Sequence, residues 1–229
     1  MRRLIRTVAE VGFCVCVAMA GVRAFAVSKP HVVSFGKWTA VKWLVGPDEK
    51  NAIDLRVRAL FVDTRLKEYT TGLPHEVTDR LFVVRRVFRL NDSLPQEASG
   101  APRWQWQRGG WVMVDRVTGR VTQLALPEFD AYYSTASWFR DYVAYCGVSD
   151  DGKKLFAMVA QLGRRKAILK KPLGEPGGED APDSECPAPE WQRAPVRVSF
   201  EPEENKKLTY AVHEHAVDIV NDEEEDEGE

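Results

Sequence analysis

Apolar and polar residues alternate with a period of two along several short stretches of this chain. The clearest stretch is AIDLRVRALFVD, residues 52–63. Its apolar positions are Ile53, Leu55, Val57, Ala59 and Phe61, and its charged positions are Asp54, Arg56 and Arg58. This period predicts a strand with one face in the core and one in water. Residues 37–46 and 79–92, rich in β-branched and aromatic residues, are also predicted as strands.

Residues 148–173, VSDDGKKLFAMVAQLGRRKAILKKPL, contain strand-like runs separated by turns. The turn Ser149-Asp150-Asp151-Gly152 combines carboxylates that cap the local backbone with a glycine that adopts positive φ without penalty. YVAYCGV precedes this turn, KKLFAMVAQ follows it, and a second turn at Gly163 leads into RKAILKK. Three short strands joined by tight turns predict an antiparallel meander.

SDDGKKLFAMVAQLGRRKAIL resembles one repeat of the TolB-like β-propellers, whose units carry a Ser-Pro-Asp-Gly-Lys-like turn followed by an apolar strand. Asp150 stands where that family usually has proline. With SWFRDYVAY before it, the resemblance spans residues 138–173, and it implies a blade-like sheet without indicating a ligand. Residues 60–72 also align without gaps on residues 112–124, an offset of 52. Propeller units repeat at a period of about 40–50 residues, although any two β-hairpins share such an alternating pattern.

These patterns predict an all-β fold of antiparallel meanders, arranged as a propeller-like body or an incomplete propeller, with a β-sandwich as the alternative. Residues 172–195 contain six prolines and three glycines, a composition typical of a linker. The predicted organisation is a signal peptide (1–26), an all-β domain (27–171), a Pro/Gly-rich linker (172–195), a β-hairpin (196–220) and a disordered acidic tail (221–229).

The first 26 residues have the layout of a secretory signal. Arg2, Arg3 and Arg6 precede the uncharged apolar run VGFCVCVAMA, and Ala24 and Ala26 place small residues at the −3 and −1 positions of a cleavage site. The run is shorter than the stretch of about 20 apolar residues that a transmembrane helix needs. We therefore expect a secreted or periplasmic protein without a transmembrane segment after cleavage.

Cys146 and Cys186 are the two cysteines that remain after cleavage at Ala26. An even number of cysteines in an oxidising compartment predicts a disulfide between them. The alternative is a pair of buried free thiols, since the sequence does not show how close the two residues lie.

The charge is distributed unevenly. Residues 27–229 carry 28 Lys+Arg and 33 Asp+Glu, a net charge of −5. Seven of those acids lie in the last eight residues, DEEEDEGE, so the remainder has a net charge of +2. Such a run is typical of a solubilising disordered segment, and a second interpretation is docking to a basic partner or to divalent cations. Nothing forms the strongly basic stripe of a nucleic-acid-binding protein, so no nucleic-acid partner is expected.

Four histidines, His31, His75, His213 and His215, are candidate metal ligands. In a continuous strand His213 and His215 would share a face about 6–7 Å apart, which suits a metal only if a third ligand comes from another strand. A solvated strand face is the simpler interpretation. No metal or cofactor is therefore predicted.

Trp104 and Trp106 share a strand face by parity and would stack on a sugar or partner, or fill the sheet core beside arginines in cation–π contact. The loop EFDAYYSTASWF, residues 128–139, holds five aromatic residues and is the first place where we expect a binding face. Asp130 and Asp141 near it are interpreted as ordinary surface acids. Asn91 begins a possible glycosylation acceptor, Asn-Asp-Ser.

The sequence contains no Gly-x-Ser-x-Gly elbow, P-loop or Gly-x-Gly-x-x-Gly fingerprint, and no catalytic residue is assigned. The leading hypothesis is a non-enzymatic binding or scaffold module that contacts a protein or an envelope polymer. Self-association is a further expectation, because sheets that do not close leave unpaired edges. The alternative is an exported hydrolase, either metal-dependent or directed at glycans.

Overall fold

The computed structural model describes residues 29–44, 52–93, 103–174, 186–203, 206–213 and 216–219. These residues form strands and turns without a helix, which confirms the predicted all-β class. The strands are β1 (Val33–Phe35), β2 (Thr39–Leu44), β3 (Ala52–Val62), β4 (Arg65–Glu76), β5 (Leu81–Asn91), β6 (Trp104–Asp115), β7 (Arg120–Leu124), β8 (Ser137–Phe139), β9 (Tyr142–Val148), β10 (Leu155–Gln161), β11 (Leu169–Gly174), β12 (Glu190–Arg193), β13 (Val196–Glu203), β14 (Lys206–His213) and β15 (Ala216–Ile219).

Strands β2 to β6 form a closed ring, hereafter the ring. Consecutive strands pair antiparallel from β2–β3 to β5–β6. Because the number of strands is odd, the first and the last run in the same direction, and the closing pair is parallel at Trp43 and Trp106. β1 pairs with the end of β3, and β7 pairs with the end of β6. The ring is thus not an open four-stranded blade, and the propeller-like arrangement of the whole chain stays a prediction.

The two segments that align at an offset of 52 residues are the β3–β4 and β6–β7 hairpins. Asp63 and Thr64 form a two-residue turn with φ of 49° and 65°, as a tight hairpin requires. The second hairpin instead pairs Asp115 with Arg120, which leaves four residues in its turn. The gapless alignment therefore does not superimpose paired positions of the two hairpins.

β3 follows the predicted alternation at Leu55 and Val57, whereas Ile53 before them is exposed. Leu55 and Val57 are buried as expected and pack with Trp43 and Val87. In the second half Leu60 is buried in place of Ala59, and it packs with a different cluster. That second cluster contains Leu60, Phe82, Val84, Val112 and Val114. The predicted phase fails there because the two halves of the strand are covered on opposite faces.

Strands β8 to β11 form the central sheet, in the order β11-β10-β9-β8. The predicted meander is confirmed, except that its last strand begins at Leu169 instead of Arg165. In the first turn Asp151 accepts hydrogen bonds from Ser149 and the Lys153 backbone, and Gly152 has φ +72°. The interior residues of β9 are all buried, because one face packs against the next sheet and the other against residues 126–138.

Strands β12 to β15 form the outer sheet, in chain order. Its side chains Val198, Phe200, Tyr210 and Val212 pack on the central sheet. The predicted hairpin over 196–220 is therefore part of a four-stranded sheet that begins within the predicted linker, at Glu190. At the other end, β11 extends to Gly174. The proline content of residues 172–195 predicted a linker, but proline is tolerated next to strands and in edge strands, so the segment contains strand residues at both ends.

The predicted disulfide joins Cys146 of β9 to Cys186, with 6.1 Å between their Cα atoms. Both residues are buried in the core between the central and outer sheets. The bridge closes a separation of 40 residues. It therefore attaches the residues before β12 to the sheet that the outer sheet covers.

Three predicted segments lie outside the described residues: the signal peptide, residues 175–185 of the linker, and the acidic tail. No helix in the described part of the chain is long and apolar enough to cross a membrane.

Candidate functional site

The aromatic side chains of the loop at residues 128–139 are mostly half-buried and contact both the ring and the central sheet. The ring of Phe129 meets Tyr145 of β9 at 5.3 Å between centroids. Trp138 packs edge-on against Trp111 of the ring, at 5.3 Å. The expectation of a binding face on this loop stays a prediction, because its aromatic side chains contact two sheets and remain partly exposed. Tyr132 is the large apolar residue of the loop that stays exposed, at 46%.

Polar groups tie the same loop to the ring. Arg85 of β5 is buried and donates hydrogen bonds to the carbonyl oxygens of Gly109, Ala131 and Ser134, at 3.3, 2.7 and 3.4 Å. Asp130 accepts two hydrogen bonds from backbone N–H groups within the loop, so it is a structural acid. The loop thus connects the ring and the central sheet through these hydrogen bonds and its aromatic contacts.

The candidate histidines do not converge. His31 contacts the carboxylate of Asp63 at the β3–β4 turn, and His75 Nε2 lies 2.8 Å from the carbonyl oxygen of Arg140. His213 is exposed at the end of β14, where it pairs with the start of the antiparallel β15. The continuous strand expected through His215 is therefore not formed, and His215 itself lies outside the described residues. Among the described residues, no three His, Cys, Asp or Glu side chains lie close enough to hold a metal ion.

Trp104 and Trp106 lie beside one guanidinium group. Arg89 of β5 is 5.5 Å from the ring centroid of Trp104 and 5.4 Å from that of Trp106. It is also 5.7 Å from Tyr69, which meets Trp106 edge-on at 5.1 Å. The predicted shared face and cation–π contact are thus present, but the cation comes from the neighbouring strand. Trp104 remains 57% exposed, so the cluster presents an aromatic side chain to the solvent.

A second cation–aromatic cluster lies on β3. Arg58 is 3.9 Å from the ring centroid of Phe35 and 4.3 Å from that of Trp38. Arg56 is 5.3 Å from Trp38. Burial against these rings lowers the pKa of Arg58 below its ordinary value. In the strand register Tyr69 lies opposite Ala59 and Arg58 opposite Thr70, so the two clusters project from opposite sides of the β3–β4 pair and meet at a cleft. We call the two clusters together the aromatic–arginine face: Phe35, Trp38, Arg56, Arg58, Tyr69, Arg89, Trp104 and Trp106.

A cleft of about 290 Å³ joins the two clusters. Arg58 lines it from one cluster, and Tyr69 and Trp106 line it from the other. Its remaining lining comes from the segment between β1 and β2 and from β3 itself: Gly36, Lys37, Thr39, Val57, Ala59 and Phe61. The cleft therefore offers aromatic and aliphatic walls with a guanidinium and an ammonium group, and no carboxylate.

The cations of this face have no ionic partner among the described residues. Arg56, Arg58 and Arg89 form no ion pair with any described carboxylate. Elsewhere on the ring, arginines are paired: Arg116 donates two hydrogen bonds to Glu76, at 2.7 and 2.8 Å. This pairing lowers the pKa of the Glu76 carboxyl. No described carboxylate therefore neutralises the positive charge of the face.

A larger cleft of about 410 Å³ lies between the end of β7 and the β10–β11 turn. Its walls are mostly aliphatic, from Leu124, Leu126, Val143 and Leu162 among others. The charged side chains there, Arg164 and Arg165, lie on the exposed turn and contact no aromatic ring. It offers fewer directional contacts than the aromatic–arginine face.

Sequence reasoning missed most of this face. Only Trp104 and Trp106 were recognised as candidates, because they lie two residues apart. Arg58 and Arg89 reach the rings across strand pairs, which no local spacing shows. The arginine-rich strand β5, which precedes the run WQW in the sequence, was the signal that pointed to the region.

No known protein family matches the chain. Neither the curated proteins nor the solved structures contain a significant match.

Proposed function

We propose that this protein is an exported, non-enzymatic binding module that holds an anionic partner on its aromatic–arginine face. The observation that carries the proposal is Arg89, which lies among three aromatic rings, without an ionic partner in the described residues, beside the exposed Trp104. The partner is an acidic protein segment or an acidic envelope polymer.

The chemistry of the face suits both charge and shape. A guanidinium binds carboxylates or phosphates through two parallel hydrogen bonds, and its charge is less hydrated than that of an ammonium group. Aromatic residues and arginine are enriched in the centres of protein interfaces and supply most of their binding energy. The aromatic rings hold Arg58 and Arg89 in place, so binding immobilises few additional side chains.

The proposal is tested with polyglutamate and polygalacturonate as anionic probes and dextran as a neutral one. We expect the purified protein to bind an anionic probe and not dextran. Arg89→Ala should weaken binding by about tenfold or more, equivalent to about 1.4 kcal/mol. Trp104→Ala should weaken it by a smaller factor, because it removes a contact but no charge.

The matched control is Arg164→Ala, which removes an exposed arginine from the β10–β11 turn. Its affinity should stay within a factor of about two of the native protein, since it changes only distant, screened charge. Equal losses for Arg89→Ala and Arg164→Ala would show non-specific attraction. Failure of both anionic probes to bind would reject the proposed partner class.

A further inference from the structure

The charge of the chain is separated along its length. Residues 29–124, which include the ring, contain 16 Lys+Arg and 10 Asp+Glu, a net charge of +6. Residues 125–221, which include the central and outer sheets, contain 12 Lys+Arg and 16 Asp+Glu, a net charge of −4. Residues 222–229 add seven acids and no base. The chain therefore carries a basic region with an aromatic face and a strongly acidic run.

We propose that the acidic run, residues 222–229, binds the aromatic–arginine face and competes there with the external partner. This inference rests on the proposed function, because it assigns a regulatory occupant to the same site. It concerns an acidic peptide of defined sequence, DEEEDEGE, within the chain itself.

Charge complementarity selects this occupant. Lys37, Arg56, Arg58 and Arg89 supply cations in or beside the cleft, and none of them has an ion pair with a described acid. The run brings seven carboxylates within eight residues, a density found nowhere else in the chain. Attraction between such groups is long-ranged at low salt and is screened over about 10 Å at 0.1 M ionic strength.

The short tether limits the run to a face within its reach or to the face of a neighbouring copy. The last described strand ends at Ile219, and ten residues follow it to Glu229. Ten extended residues span up to about 35 Å. A tethered segment is present at an effective concentration of up to the millimolar range. A weak interaction is therefore enough for the run to occupy the face, in its own molecule or in a neighbouring copy.

The test compares the native chain with a full-length variant in which the acids of the run become amides. The substitutions are Asp222→Asn, Glu223→Gln, Glu224→Gln, Glu225→Gln, Asp226→Asn, Glu227→Gln and Glu229→Gln. A fluorescent DEEEDEGE peptide and a matched NQQQNQGQ peptide serve as probes, and anisotropy reports their binding. The peptide should bind the amide variant at least about tenfold more tightly than the native chain, because the native run competes as a tethered ligand.

Three further readouts make the inference falsifiable. Arg89→Ala in the amide variant should weaken binding of the DEEEDEGE peptide by about tenfold. Arg164→Ala in the same variant should leave the affinity for this peptide unchanged. The NQQQNQGQ peptide should not bind. Sedimentation at rising protein concentration separates the two arrangements: a monomer at all concentrations shows contact within one molecule, and concentration-dependent association shows contact between copies.

The failures are distinguishable. If polyglutamate binds the native and amide chains equally, and Arg89→Ala weakens both, the acidic run does not occupy the face, and the proposed function stands. If the peptide binds the amide variant through Arg89 but polygalacturonate and polyglutamate do not bind it, the run is the ligand and the external partner is rejected. If nothing binds to any variant, both proposals fail.

Discussion

The ring and the two stacked sheets use the same secondary structure in different ways. In the ring, strands such as β3 and β5 carry arginines between their apolar positions, and these arginines lie on aromatic rings or pair with acids. In the stack, β9 and β10 are almost continuously apolar, and a disulfide crosses the core. The side chains of the stack, which consists of the central and outer sheets, therefore mainly form its core, while the ring leaves one face of its strands in contact with water.

This difference locates the functional surface. A strand covered on both faces has no side chains left for a partner, as in the central sheet. A strand with one wet face presents a row of side chains to solvent, and on the ring that row contains arginine and tryptophan. Under the proposed function, the stack acts as a support and the ring provides the binding surface. The following predictions test this division, in order of decreasing effect on stability.

The largest effect is expected from Phe200→Ala in the outer sheet. Phe200 is fully buried and meets Tyr210 edge-on at 6.0 Å. Truncation of such a side chain costs about 3–5 kcal/mol of unfolding free energy. Hydrogen exchange monitored by mass spectrometry should show lost protection in β9–β15 and retained protection in β2–β6.

The matched variant is Phe82→Ala in the ring, where Phe82 is equally buried. It should produce the reverse pattern of protection, with the loss in β2–β6. If either variant lowers protection in both regions equally, the two regions unfold as one unit and the comparison fails.

Removal of the disulfide, by Cys146→Ala together with Cys186→Ala, should cost about 3–4 kcal/mol in the chain-entropy model for a loop of this length. Urea unfolding should show the loss in the transition that reports the stack. A reducing agent should shift the native protein in the same direction and leave the double variant unchanged. A shift of the double variant by reductant would mean that the reagent acts elsewhere.

Arg85→Met should cost about 2–3 kcal/mol, because hydrogen bonds from a charged donor to buried carbonyl oxygens are lost. Since Arg85 joins the ring to the loop at residues 128–139, the variant should also separate the unfolding transitions of ring and stack. Arg120→Met, at an exposed position of β7, is the control and should change stability by less than about 0.5 kcal/mol. Equal effects of the two substitutions would contradict the bridging role.

The smallest effect concerns acid and Glu76. Its pKa is lowered in the folded protein, chiefly by the hydrogen bonds from Arg116. The ion pair therefore stabilises the fold above the unfolded pKa of about 4.3, and this contribution is lost as the pH falls through the folded pKa. Glu76→Gln should lower the free energy of unfolding by less than about 1 kcal/mol at neutral pH and by less still at pH about 3, because the pair is largely exposed.

Urea titrations at both pH values measure this difference. The exposed Glu201→Gln, on the outer sheet, is the control and should have no effect that depends on pH. A larger pH-dependent effect at Glu201 than at Glu76 would place the acid-sensitive charges on the stack instead of the ring.

Local patterns predicted much of the fold correctly. The burial of Leu55 and Val57, the Asp-Gly turn at Gly152 and the apolar runs of β9 and β10 were all recognisable, because each depends on neighbours a few residues away. The cysteine pair was also predicted, since only two cysteines follow the signal-like segment. The aromatic loop was recognised as a cluster, but its contacts with two sheets were not predicted, because they depend on strands that are distant in the sequence.

The amino-acid sequence by itself determined the all-β class, the positions of most strands and the partners in the disulfide. These features follow from side-chain periodicity, turn chemistry and composition, which act over short distances along the chain. Only the tertiary structure decided that β6 closes on β2, that β3 buries opposite faces in its two halves, and that Arg58 and Arg89 meet aromatic rings. Those outcomes depend on contacts between distant strands, and the physical reason is that burial and pairing are set by what covers a strand.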